Sequence, residues 1–304
     1  MKTLTFIGAN GFIGKSFLDA FNRGLLEKFN IKKINLISRD INDLKKIQIS
    51  KKISLIKGDI SKLKFLPISD YIIYAAENAE IKTKKNFEKI IKGSKNSIDN
   101  FCKIVKKQKK TKILYISSGI VHKSKNKNYN IKSPLEAYTA IKIYSESEIK
   151  KLSKFKLKTS IARCFTFIGM WLPRKSKYAI GNFIDDVIKN KSILIKKKNK
   201  VIRSYMYADD MISWLTTICI KSKIKTTIYD VGSDYKIEIE QLAKLFSHLF
   251  NKKIKFKKLN YNAKKIDRYL PNLKRTKEKL KLKINYKLKD AILITIKRIN
   301  EKIR

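Results

Sequence analysis

Glycine, proline, cysteine and histidine are scarce in these 304 residues, with 10, 4, 3 and 2 copies respectively. Cys102, Cys164 and Cys219 fall in apolar segments without metal-ligand spacing, so they read as core residues of a protein kept in a reducing compartment. His122 and His248 are too few and too isolated to build a metal site, and no metal is expected. Long apolar runs are also missing, which argues against a membrane span. Asn10 and Lys15 interrupt the first apolar stretch, which argues against a signal peptide, and the expected location is cytoplasmic.

Acidic residues are the other shortage. Asp and Glu number 25 against 72 Lys and Arg, a formal charge of +47 that raises the question of nucleic-acid binding. Such a groove needs its cations clustered. Here the lysines run through every segment beside isoleucine and asparagine, with KKQKKTK (106–112) and KKKNK (196–200) at apparent helix ends and hairpin tips. The pattern reads as coding bias and predicts weak, salt-sensitive adsorption to polyanions, not specific recognition. With 43% hydrophobic residues the chain can bury a large core, which excludes disorder.

The few glycines are not evenly spent. Gly8, Gly11 and Gly14 stand three apart in GANGFIG, after the β-prone run Leu4 to Ile7 and before Phe17, Leu18 and Phe21 at helical spacing. At a strand–turn–helix junction the first glycine permits the turn, the second lets a pyrophosphate approach the backbone, and the third lets helix pack on strand. Phosphate charge then faces the amides of the helix start. A glycine-rich turn without a ligand is the alternative reading of the motif taken alone.

Short β-prone runs follow at 33–38, 52–59, 70–76, 112–118 and 158–165, alternating with amphipathic stretches around 84–108 and 136–153. This alternation predicts an α/β fold, a Rossmann-type doubly wound parallel sheet over residues 1–165. Ligands of such sheets bind at the carboxyl ends of the strands. From 166 to 304 the rhythm changes: a short strand at 192–196, the stretch 203–220, a strand at 226–232, a helix over 237–250 and a charged helical region over 274–304. These residues read as a smaller substrate-binding part, with about 203–232 crossing back to the first domain.

Tyr138 and Lys142 in EAYTAIK lie four apart, on one face of an expected helix. A nearby ammonium favours the phenolate and lowers the tyrosine pKa, which suits proton transfer. Tyr261 and Lys265 have the same spacing, and no role is assigned to them. The first pair differs in context, because Ser117 and Ser118 end the strand KILYISS shortly upstream.

Together these elements resemble an extended short-chain dehydrogenase/reductase of the NAD-dependent epimerase/dehydratase family, whose members act on nucleotide sugars. The resemblance runs through GANGFIG, GDI (58–60), YAA (74–76), SSGIV (117–121), YTAIK (138–142), ARCFTFIG (162–169), RSYMYADD (203–210), YDVGS (229–233) and RYLPN (268–272). It implies that Ser118 holds the sugar oxygen, Tyr138 exchanges its proton, and Lys142 binds the nicotinamide ribose and tunes Tyr138. It also implies that Gly8, Gly11, Phe12, Ile13 and Gly14 cradle the pyrophosphate, Asp59 and Ile60 hold the adenine, and Ala75 and Ala76 lie under the cofactor. Arg203, with Arg268, Asn182 and Thr166, is implied at the nucleotide-sugar substrate, and a homodimer is implied through the helices around 84–108 and 136–153.

Two local features bear on the reaction. Family members that eliminate water carry Asp–Glu directly after the catalytic hydroxyl, whereas this chain has Gly119 and Ile120, neither able to exchange a proton. After the second strand Ser38 stands where an acid would hold the NAD ribose, and Arg39 follows, suited to a 2′-phosphate. The expectation is an enzyme that reduces a nucleotide-linked 4-keto-6-deoxy sugar, with NADP(H) favoured over NAD(H). An NAD-dependent epimerase and a non-catalytic dinucleotide-binding protein are the alternatives. The chain departs from the family at Ile90, His122, Thr166 and 197–199, which touches proton relay and substrate geometry.

Overall fold

The structure is a computed structural model describing residues 1–47, 50–77, 87–123, 131, 133–175 and 178–303, without the side chains of 197, 198, 258–265 and 303. Its elements begin with β1 (Lys2–Ile7), α1 (Phe12–Asn22), β2 (Ile31–Ser38), α2 (Asn42–Lys45), β3 (Ile53–Lys57), β4 (Tyr71–Tyr74), α3 (Phe87–Val105), β5 (Lys112–Ser118), α4 (Pro134–Lys151) and β6 (Lys158–Cys164). They continue with β7 (Phe167–Ile168), α5 (Ala179–Ile188), β8 (Ile193–Arg203), β9 (Met206–Tyr207), α6 (Ala208–Ile220) and β10 (Thr227–Val231). The last are β11 (Ile237–Glu238), α7 (Ile239–Phe250), β12 (Ile254–Arg268), α8 (Lys274–Leu280) and α9 (Leu288–Ile303).

Contacts divide the chain into two units, Met1–Cys164 with Ile212–Asp230, and Phe165–Met211 with Val231–Arg304. The first unit is built on a seven-stranded sheet of order β10-β6-β5-β4-β1-β2-β3. Pairing is parallel from β3 through β2, β1, β4 and β5 to β6. Strand order reverses between β1 and β4, the switch point of a Rossmann-type sheet.

Both faces of this sheet are covered, and β1 shows how. Neighbouring side chains of a strand point to opposite faces. Phe6 meets Phe17 of α1, ring centroids 5.0 Å apart. Ile7 instead joins the cluster of Ile98 and Phe101 from α3 and Ile149 from α4. Strands buried on both sides need not alternate in polarity, which is why YIIY of β4 is apolar throughout. The polar exception, Thr5, is fully buried and bonded to Ser69 at 2.6 Å and Asn35 at 3.1 Å.

The second unit packs around Phe183, Ile193, Ile195, Leu242, Phe246 and Ile292. Here β8 runs on to Arg203 where the sequence suggested a strand ending at 196, antiparallel to β11 and parallel to β12. The charged stretch expected to be helical holds two helices, α8 and α9, with Lys281 at φ 52° after α8. Buried Asp210 holds the segment between them, accepting from the Asn285 amide at 3.0 Å, the Asn285 side chain at 2.7 Å and the Tyr286 amide at 3.1 Å. Among the described residues no helix is long and apolar enough to cross a membrane.

Candidate active site

The turn between β1 and α1 lies at the switch point, and each glycine there answers to a different constraint. Gly8 has φ +89°, and a Cβ on it would lie 2.5 Å from the Ala75 carbonyl oxygen at the end of β4. A Cβ on Gly14 would lie 2.3 Å from the Ala9 carbonyl, so helix and strand approach closely only with glycine there. Gly11 is different. Its φ is −77°, and a Cβ would touch nothing nearer than the Gly8 carbonyl at 3.5 Å. The chain's own packing therefore does not demand glycine at 11, whereas a ligand laid on the backbone would.

The surroundings suit an anion. Gly11 caps α1 without a side-chain bond, no acid stands in the first turn containing Phe12 and Ile13, and Asn10 Oδ1 is buried without a partner among the described residues. The amides of this turn are the positive end of the helix. A dinucleotide pyrophosphate fits this cradle.

Arg39 and Asp59 follow the neighbouring strands β2 and β3. Burial raises the Asp59 carboxyl, but hydrogen bonds from the Ser61 amide (2.9 Å) and hydroxyl (2.8 Å), with Arg39 nearby, hold it below its ordinary value. Arg39 itself is exposed. Ile60 sends its side chain into the core, and its carbonyl accepts from Asn100 at 2.7 Å. Ala75 and Ala76 are partly buried beneath the turn.

Ser118, Tyr138 and Lys142 come together at the carboxyl edge of β5. The residue Ser133 caps α4 by accepting from the Glu136 amide, with Pro134 in the first turn, and this start puts Tyr138 and Lys142 on the face toward β5. Ser118 is hydrogen-bonded to the Tyr138 phenol, and Lys142 Nζ lies 5.6 Å from the centre of that ring. The net effect on Tyr138 corrects the sequence expectation. Burial raises the phenol above its ordinary value, outweighing the downward pull of Lys142 and Ser118.

Part of the reason is a residue the sequence reading missed. Glu77 pairs with Lys142 Nζ at 2.8 Å, and the two side chains are 2% and 5% exposed. The same carboxylate accepts from Tyr115 at 2.8 and 3.0 Å and from Ser145 at 2.6 Å. Burial depresses Lys142, but Glu77 and Tyr138 more than offset it, so its pKa ends above the ordinary value. Nothing local marks Glu77, whose partners come from β5 and α4.

A second buried acid lies one helical turn further on. Glu146 accepts from Ser117 at 2.6 Å and takes a two-pronged bond from Arg163 at 2.9 and 2.8 Å. Arg163 also reaches His122 Nδ1 at 3.3 Å, and His122 Nε2 meets Asp230 at 2.8 Å. This chain of groups braces the end of β5 next to Ser118.

The residues implied at the substrate lie in the second unit. Thr166 donates to the Ser204 carbonyl, and Asn182 sits half-buried in α5. Arg203 pairs with Asp267 at 2.5 Å and also donates to two backbone carbonyls at 2.9 Å. Arg268 pairs in register with Ile202, one position before Arg203, so strand alternation sends the two guanidiniums to opposite faces. They do not form one clamp. The strand β8 runs through 197–199. Tyr261 and Lys265 have side chains outside the described residues.

A dTDP-D-glucose 4,6-dehydratase of Dictyostelium discoideum is 27% identical over 195 residues, 58% of this chain but only 44% of that relative's length. A dTDP-glucose 4,6-dehydratase of Bacillus anthracis, crystallised with NAD, superposes with a TM-score of 0.79 at 16% identity, covering 99% of this chain and 97% of the other. A UDP-N-acetylglucosamine 4-epimerase of Methanobrevibacter ruminantium, solved with UDP-N-acetylmuramic acid, gives 0.80 at 20% identity with 99% of both chains covered. These likenesses carry the fold, and residues 5–232 match the family directly: the chain belongs to the NAD dependent epimerase/dehydratase family.

Proposed function

We propose that the chain is an NAD(P)-dependent oxidoreductase that reduces the keto group of a nucleotide-linked 4-keto-6-deoxy sugar, with NADP(H) preferred. The convergence of Ser118, Tyr138 and Lys142 at the end of β5, with β4 between it and the glycine cradle after β1, carries this reading. The cofactor supplies the hydride when bound. Ser118 orients the sugar oxygen, Tyr138 delivers a proton to it as charge develops there, and Lys142 orders the phenol through its field.

One feature of the sequence argues against elimination of water, which needs an acid and a base: Gly119 and Ile120 supply neither. Burial keeps the Tyr138 phenol above its ordinary value, in the protonated form that donates to a ketone, which both a reductase and the second half of an epimerisation require. Arg39 beside Asp59 supports a 2′-phosphate on the cofactor. Arg203 serves the substrate diphosphate in this reading by exchanging Asp267 for phosphate, with Thr166 and Asn182 as further substrate contacts and Arg268, on the other face of the strand pair, without a part in it. A homodimer through α3 and α4 belongs to the same reading.

The test is NADPH oxidation in the presence of nucleotide-linked 4-keto-6-deoxy sugars. Turnover by the wild type, reduced about 10²–10⁴-fold in Tyr138→Phe with nucleotide binding retained, is the expected result. Exchange between sugar epimers with tightly held NAD replaces the reductase by an epimerase. Turnover unaffected by Tyr138→Phe refutes the assigned chemistry.

A further inference from the structure

Lys142 is buried at the centre of a set of groups drawn from four elements. The carboxylate of Glu77 comes from the segment after β4, Tyr115 from β5, Tyr138 and Ser145 from α4, and Cys164 from the end of β6. Tyr74 of β4 also feels the Glu77 charge. Among these, Glu77 is the group that pairs with the ammonium.

Hydrogen-bond capacities define what Glu77 does. A carboxylate has about four lone-pair sites. Glu77 Oε1 takes Tyr115 at 3.0 Å and Ser145 at 2.6 Å, while Oε2 takes Tyr115 at 2.8 Å and Lys142 at 2.8 Å. Tyr115 has one hydroxyl hydrogen to share between the two oxygens, so three donors hold the carboxylate from three sides. An ammonium has three donors. Glu77 takes one and the Ile116 carbonyl, at 2.7 Å, takes another. Among the described residues these two acceptors fix the direction of the side chain.

We propose that Glu77 is a positioning residue that keeps Lys142 charged and aimed, and through it sets the acidity of Tyr138. Its use in turnover rests on the oxidoreductase reading, but its effect on Tyr138 does not. A lone ammonium in this interior sheds its proton, because burial disfavours the charged form by several pKa units. Tyr138 then loses the Lys142 field, which lowers its pKa, together with the weaker Glu77 field, which raises it. The first effect is the larger, so removing Glu77 makes the phenol less acidic.

The experiment is a titration of Tyr138 in the free protein, followed by carbon-13 NMR of labelled tyrosine and assigned with Tyr138→Phe. Glu77→Gln is expected to raise the Tyr138 midpoint by about one pH unit, a smaller rise than in Lys142→Met, which keeps the Glu77 charge. Glu77→Asp keeps the charge on a shorter stem and serves if Glu77→Gln does not fold; its midpoint is expected between the wild type and Lys142→Met. A pair that only stabilises the fold changes the melting temperature and leaves the midpoint in place. An unchanged or lowered midpoint in the folded variants overturns the proposal. No sugar or nucleotide is needed, so failure of the oxidoreductase reading shows separately, as absence of NAD(P)H binding or turnover.

Discussion

At the scale of single residues, two opposed effects meet on Tyr138. Burial outweighs the Lys142 field and holds the phenol above its ordinary value. The proposed reduction is therefore expected to proceed at a steady rate through neutral pH and to fall as pH rises through the Tyr138 pKa, while the reverse oxidation climbs over the same range. Lys142→Met removes a charge that lowers that pKa, so both limbs move to higher pH, as initial rates measured in each direction will show. The cysteines make a second residue-scale case. Cys102, Cys164 and Cys219 are buried, and burial pushes each thiol up to about 12. A chromogenic thiol reagent is expected to find none of them in the native protein at pH about 8 and all of them after unfolding. The sequence offered Ser118, Tyr138 and Lys142 through a strand end, a four-residue spacing on one helix and the family resemblance, and the structure brings the three together. Glu77 and Glu146 could not, because packing of separate elements gives them their partners.

At the scale of elements, the glycine turn separates folding from binding within seven residues. Gly14→Ala forces a methyl against the Ala9 backbone at 2.3 Å and is expected to destabilise by about 1–3 kcal/mol or more. Gly11→Ala meets only ordinary contact at 3.5 Å and is expected to cost no more than about 1 kcal/mol, the loss of a tolerable helix cap. Its effect should fall on nucleotide affinity instead. Paired denaturant melts and NADPH titrations check this, and equal loss of stability in both variants would contradict it. The parallel strands were legible because burial on both faces writes continuous apolar runs. The strand β12 was not, because it is an edge strand rich in lysine, with exposed positions such as Lys255, Phe256 and Lys257. Nor was the break between α8 and α9, which depends on Asp210 far away in the chain.

At the scale of the whole molecule, the formal charge of +47 is the property least connected to the site. Its cost is self-repulsion, which salt screens. Raising ionic strength from low to physiological values is expected to raise the melting temperature and to release adsorbed polyanions, and a melting temperature that falls would show that specific ion pairs dominate. The doubly wound parallel sheet could be anticipated from alternating segments, whereas its strand order is read from the structure. The central claim concerns that sheet's switch point, where Gly11 is left open and Arg39 follows β2. Titration of the purified protein with NADPH and NADH, followed by cofactor fluorescence, tests it most directly. Binding of both, tighter for NADPH and lost in Gly11→Ala, is the predicted result; binding of neither by the folded protein would contradict it.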